Sequence, residues 1–91
     1  MELRHVRTFL ALAEELHFGR AARKLRVAPS AVSQTLRGLE EEMGVALLER
    51  SKRKVSLTPA GAQYVEYARA ALAQLELGAA AALSAVPAAT R

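Results

Sequence analysis

Ninety-one residues make one small domain, which at that size buries only about 60 to 65% of its unfolded surface, and 52% hydrophobic with 24% charged residues is a globular composition. The inventory excludes most chemistry: there is no Cys for disulfides or thiolate metal sites, no Asp, Asn or Trp, no Gly-rich phosphate loop, and only two histidines. The net charge of +4 lies unevenly, with Arg20, Arg23, Lys24, Arg26 and Arg37 in one stretch free of carboxylates, Arg50-Ser51-Lys52-Arg53-Lys54 in another, and acids gathered at Glu14-Glu15 and Glu40-Glu41-Glu42.

Basic patches kept apart from acidic ones would draw a polyanion to one side of the molecule; the plainer reading is solubility. At the N-terminus, Met1-Glu2-Leu3-Arg4-His5-Val6-Arg7 alternates charged and apolar residues without the apolar run of a signal peptide, so it reads as structure. Leu3, Val6, Leu10 and Ala13, joined by Phe9 and Leu16, recur at helical spacing and predict a first helix over 2–16. His17-Phe18-Gly19 interrupts it. Residues 19–25 then offer a short helix with small residues, Ala21 and Ala22, where a neighbour can approach closely. His5 and His17 lack metal-ligand spacing and an obvious carboxylate partner, which reads as structural histidines. Ser30 and Ser33 have neither a base beside them nor an elbow motif around them, so no catalytic residue is assigned, and no metal or cofactor is expected.

Arg26-Val27-Ala28 makes a tight connection, and Pro29 fixes a backbone angle suited to the first position of a third helix while pushing Ala28 out of helical space. At 100° per residue, Val32, Leu36, Leu39 and Met43 share one narrow sector, which must face the core. Ser30, Ser33, Gln34 and Arg37 fall almost opposite, at the end of the helix whose backbone N–H groups favour anions. Hydroxyls and an amide can pair with base edges, and Arg with guanine or phosphate, whereas an ordinary solvated face carries more Glu and Lys.

Gly44 stops this helix, and residues 45–50 and 55–58 are short β-leaning runs around the basic Ser51-Lys52-Arg53-Lys54 turn. Such a wing would put Arg53 into a minor groove or against phosphate, or it is merely a charged hairpin edge that resists aggregation. Thr58-Pro59 supplies an N-cap and a first-position proline for a long helix over 59–84, ahead of a tail over 85–91. Gly61, Tyr64, Ala68, Leu72, Leu75, Ala79 and Leu83 lie close to one stripe, longer than a small core could cover, so a second copy of the helix is the expected destination. Gly78 and Pro87 mark expected weak points, and the Ala-rich end, broken by Pro87, is too weakly apolar to span a bilayer.

Taken together, Leu3-Arg4-His5-Val6-Arg7-Thr8-Phe9, Ala21-Ala22-Arg23-Lys24-Leu25, Val27, Ser30-Ala31-Val32-Ser33 and Leu36-Arg37-Gly38-Leu39-Glu40 resemble the N-terminal domain of LysR-type transcriptional regulators. The likeness continues through Gly44-Val45, Leu47-Leu48-Glu49-Arg50 and Leu57-Thr58-Pro59-Ala60-Gly61, and covers residues 1 to about 72 without gaps. It implies a mainly α winged helix-turn-helix domain over 1–58, with the motif at about 18–37 and the wing at about 46–58, followed by the dimerisation helix. By that resemblance Pro29, Ser30, Ser33 and Gln34 approach bases in double-stranded DNA, and Arg50, Lys52 and Arg53 belong to the wing; Arg37 joins the base-facing set from its place on the outward stripe, and Arg20, Arg23 and Lys54 join the backbone and wing set from the basic stretches. Tyr64, Ala68, Leu72 and Leu75 would form the homodimer interface of a cytoplasmic bacterial regulator. Ala28 stands where the family commonly has a capping Ser, and Gln34 where Arg is frequent, so the base preference there is this chain's own. The larger effector-binding domain of the family is not within these 91 residues, so the chain is expected to be a fragment of a regulator that meets its small-molecule effector elsewhere. The alternatives in other classes are a helical module that binds an acidic protein, a non-specific architectural DNA binder and, most distantly, an enzyme.

Overall fold

The computed structural model describes residues 1–51 and 53–87, in the order α1 (Leu3–Glu15), α2 (Phe18–Leu25), α3 (Pro29–Met43), β1 (Leu48–Arg50), β2 (Val55–Leu57) and α4 (Pro59–Ser84). The fold is the expected one: a three-helix core, a two-stranded antiparallel wing and a long final helix. Each of the first three helices ends on a residue in left-handed backbone space: Leu16 at φ 49°, Arg26 at φ 60° and Gly44 at φ 76°. Glycine adopts this conformation without penalty, so Gly44 suits the end of α3; Leu16 and Arg26 are held there by the helices they join.

Core residues come from every helix and from the loop before the wing. Phe9, Leu12, Ala21, Leu39 and Leu47 are fully buried, with Val32, Ala22, Ala68, Leu36, Val65 and Leu48 beside them. The expected core sector of α3 is thus the one that packs, with Met43 partly buried at its end. Ala21 and Ala22 let α2 lie close to its neighbours, because a methyl group sets the separation. His5 and His17 both act at helix starts. His5 Nδ1 accepts the Glu2 N–H at 3.2 Å, and His17 Nδ1 accepts the Arg20 N–H at 3.0 Å as the N-cap of α2.

The wing is shorter than its β-leaning sequence. Only Leu48↔Leu57, Glu49↔Ser56 and Arg50↔Val55 pair. Residues 45–47 are drawn into other bonds: the Val45 N–H returns to the Glu40 carbonyl, and the Glu40 carboxylate accepts the N–H groups of Leu47 at 2.6 Å and Leu48 at 3.2 Å. Thr58 closes the other end. Its N–H donates to the Leu47 carbonyl, its hydroxyl donates to the Ala46 carbonyl at 2.6 Å, and its oxygen accepts the Gly61 N–H at 3.0 Å as the N-cap of α4. A Cβ at Gly61 would stand 2.1 Å from the Leu47 carbonyl oxygen, so the first turn of α4 can press on this loop only because residue 61 has no side chain.

From there α4 runs unbroken across Gly78 to Ser84; the expected weak point is an ordinary helical residue. A 26-residue helix is about 39 Å long, and it accounts for the 55 × 25 × 20 Å shape and for a radius of gyration of 15.6 Å, against about 12 Å for a compact chain of this length.

Candidate nucleic-acid interface

The chain's outer chemistry is set by α3. Because its apolar sector is held by α1 and α2, the opposite sector turns outward: Pro29, Ser30, Gln34 and Arg37 are exposed and Ser33 is half-buried. Ala28, the N-cap, offers no side-chain oxygen; Pro29 has no N–H and the Ala31 and Val32 N–H groups turn to the Ala28 carbonyl, so the Ser30 N–H is the one at this helix start without an acceptor among the described residues. The five residues expected to approach bases therefore occur together on one accessible face.

Cations stand on α2, at the turn into α3, on α3 and at the wing turn, but not in the simple segregation suggested by their order in the sequence. Lys24 reaches back to Glu14 at 2.7 Å, and Arg20 to Glu15 at 3.4 Å and to the Glu15 carbonyl at 3.1 Å. Glu14 titrates below its ordinary 4.5, first because Lys24 donates a hydrogen bond to it and then through the charges of Lys24 and Arg69. These pairs are exposed and so contribute little to stability. Their consequence is that Arg20 and Lys24 are partly neutralised. Arg23, Arg26, Arg37, Arg53 and Lys54 carry no ion pair among the described residues, and all five are exposed. Arg26, at the turn into α3, was not among the expected contacts although it belongs to the same set of cations.

At the wing, the turn is closed by the Ser51 N–H to the Lys54 carbonyl at 2.9 Å, leaving the Arg53 and Lys54 side chains outward. Lys52, also expected there, lies outside the described residues. Arg50, expected with the wing and the DNA backbone, makes contacts within the chain. Its guanidinium carbon sits 3.9 Å from the centre of the Phe18 ring, and its Nη2 donates to Ser33 Oγ at 3.3 Å, joining wing, α2 and α3. In the sequence Phe18 lies in the interruption between two helical patterns and carries no signal of this contact. The Glu40 carboxylate was likewise missed, since its partners lie seven and eight residues on, across a turn that carries no periodic signal.

The stripe on α4 divides. Ala68 is 3% exposed against the chain's own core, and Tyr64 is half-buried with its ring 5.4 Å from that of Phe9, a setting whose desolvation raises its hydroxyl pKa above the ordinary 10.0. Both residues, expected in the subunit interface, also pack on the chain's own core. Leu72 is half-buried beside Leu10 and Leu25, while Leu75 is 57% exposed and Leu83 59%. Among the described residues no helix is long and apolar enough to cross a membrane.

Comparison with known proteins agrees with this geometry. A curated regulator of Bacillus subtilis, the HTH-type transcriptional regulator AlsR, is 53% identical over 78 residues, 86% of this chain and 26% of its own length. The Hca operon transcriptional activator HcaR of Escherichia coli is 50% identical over 76 residues, 84% of this chain and 26% of its own. The chain thus spans about a quarter of the length of these relatives. Among solved structures, a complex of the BenM DNA-binding domain with benA site 1 DNA matches with a TM-score of 0.90 and 40% identity, covering 94% of this chain and all of that one. The complex of the CbnR DNA-binding domain with DNA matches with a TM-score of 0.88 and 35% identity over 93% of this chain and 98% of that one. Residues 3–62 match the model of the bacterial regulatory helix-turn-helix proteins of the lysR family, and the chain belongs to that family.

Proposed function

We propose that the chain binds double-stranded DNA sequence-specifically, as the DNA-binding part of a bacterial LysR-type transcription regulator. Two copies joined through α4 read an interrupted inverted repeat, each setting α3 in a major groove while Arg53 and Lys54 of the wing, with Lys52, meet phosphates or the adjoining minor groove. Pro29, Ser30, Ser33, Gln34 and Arg37 are the base-facing residues, and Arg23 joins the wing cations on the backbone. The observation that carries this reading is the outward face of α3: hydroxyls, an amide and the Arg37 guanidinium with no carboxylate among them, accompanied by four further exposed cations, Arg23, Arg26, Arg53 and Lys54, that have no ion pair among the described residues. The solved relatives in complex with DNA support it.

In the same reading the protein works in the cytoplasm, at the nucleoid, and carries out no catalysis. The remaining two copies' surface, at Leu72, Leu75 and Leu83, is where the second α4 packs, and a small-molecule effector acts through a separate domain of the kind its longer relatives have room for. The test is selection from a library of randomised duplexes at two salt concentrations. Enrichment of a two-fold symmetric site is the expected result. Retention without a motif would leave a non-specific binder, and no retention would favour a module that binds acidic proteins.

A further inference from the structure

Among the described residues of the wing region, Arg50 is the cation whose guanidinium contacts both a ring and a hydroxyl of other elements. Its flat face covers Phe18, at 3.9 Å from the ring centre, and its Nη2 donates to Ser33 Oγ at 3.3 Å. No carboxylate pairs with it among the described residues, so the ring and the hydroxyl alone set its position. A guanidinium has donors and no acceptor, and a serine hydroxyl has one proton and two lone pairs. The contact can therefore run in only one direction: Ser33 accepts. Its proton has no acceptor within the described residues, neither a side chain nor the carbonyl one turn back on α3.

The geometry points to Arg50 as a positioning residue that fixes Ser33 as a hydrogen-bond donor toward DNA, and not as a phosphate contact of the wing. This rests on the reading of α3 as the groove helix. With one lone pair filled by Arg50, the hydroxyl keeps its O–H and one lone pair, and the cationic guanidinium beside it polarises the O–H toward donating and opposes the approach of a second donor. A base edge that presents an acceptor in the major groove, guanine N7 or O6, adenine N7 or thymine O4, is then favoured at the step facing Ser33. Cytosine, which presents the N4 amine, is disfavoured. The Phe18 ring keeps the guanidinium plane turned so that Nη2 meets Ser33, which ties the start of α2 and strand β1 to the choice of base on α3.

The experiment uses the 91-residue chain, duplexes enriched from a randomised library, and the same duplexes with each base substituted in turn. Arg50→Met removes the donor and charge, Arg50→Lys keeps the charge without the planar face, and Phe18→Leu removes the ring while leaving Arg50 in place. Each is expected to lower discrimination against cytosine at one step by about five-fold, the size of one neutral hydrogen bond, as does Ser33→Ala. In a Ser33→Ala background, Arg50→Met should change that discrimination by less than about two-fold. The slope of log affinity against log salt should fall by well under the ~0.9 expected for one lost phosphate contact. A merely structural role would lower thermal stability without a preference confined to the Ser33 step.

The proposal is overturned if Arg50→Met weakens all duplexes alike and lowers the salt slope by about 0.9, or if its effect adds in full to that of Ser33→Ala. A wild-type chain that enriches no motif would overturn it together with the groove-helix reading, whereas a wild-type motif insensitive to Arg50, Phe18 and Ser33 overturns the positioning role alone.

Discussion

At the scale of single residues, the side chains that hold this domain together do so through backbone groups more than through one another. Glu40 is the clearest case: one carboxylate oxygen accepts two N–H groups in the loop that has no other regular structure, and so fixes where β1 begins. Hydrogen bonds to a charged acceptor contribute about 1.5 to 3 kcal/mol, and removing the acceptor leaves part-buried donors unsatisfied. Glu40→Ala is therefore expected to lower unfolding free energy by about 2 kcal/mol, measured by urea denaturation, with Glu40→Gln losing about half as much. A loss within 0.5 kcal/mol, as for an ordinary surface glutamate, would contradict the role given to it. Glu41, exposed and with no ion pair or side-chain hydrogen bond among the described residues, is the matched control. Nothing in the run Glu40-Glu41-Glu42 distinguishes these residues by type. Which of the three turns back on the loop is decided by the angle at which α3 ends at Gly44, a tertiary fact.

At the scale of elements, the helices were legible because their boundaries are punctuated. Pro29 and Thr58-Pro59 mark starts, Gly44 marks a stop, and the apolar spacing in between has a single period. The wing was legible as a hairpin and misjudged in length, since residues 45–47 lean to β by type but give their bonds to Glu40 and Thr58. The two glycines of α4 separate local from tertiary causes. Gly61 faces the Leu47 carbonyl with no room for a methyl group, whereas nothing stands within 4 Å of a Cβ at Gly78. Gly61→Ala should cost about 2 to 3 kcal/mol, since backbone and not a flexible side chain must give way. Gly78→Ala should instead gain about 0.5 to 1 kcal/mol of local helix stability, visible as stronger helical circular dichroism and slower amide exchange around residues 76–82. Equal effects of the two substitutions on the melting temperature would contradict this packing of α4.

At the scale of the whole molecule, the outward side of α3 was readable from its sequence because opposite sectors of one helix carry opposite chemistry. The distribution of charge around it was not. Lys24 and Glu14, ten positions apart, and Arg50, Phe18 and Ser33, from three elements, meet only in the folded chain. The stripe on α4 was likewise one feature in sequence and two in space, with Tyr64 and Ala68 packed at home and Leu75 and Leu83 left outward. A dimer through the outward part predicts that Leu75→Glu raises the dimer dissociation constant by about 10- to 100-fold, the equivalent of about 1.4 to 3 kcal/mol, in sedimentation equilibrium. Gln74→Glu, adding the same charge on another side of the helix, should leave it nearly unchanged; equal shifts would place the partner elsewhere.

The central claim is a division of labour between a helix that chooses the sequence and a wing that supplies affinity for any DNA. The most direct measurement is the affinity of the chain, of Gln34→Ala and of Arg53→Ala for an enriched duplex and for its scrambled counterpart, across a series of salt concentrations. Arg53→Ala is expected to weaken both duplexes alike and to lower the salt slope by about 0.9, whereas Gln34→Ala narrows the ratio between duplexes and leaves the slope in place. Equal losses on both duplexes for both variants would contradict the account.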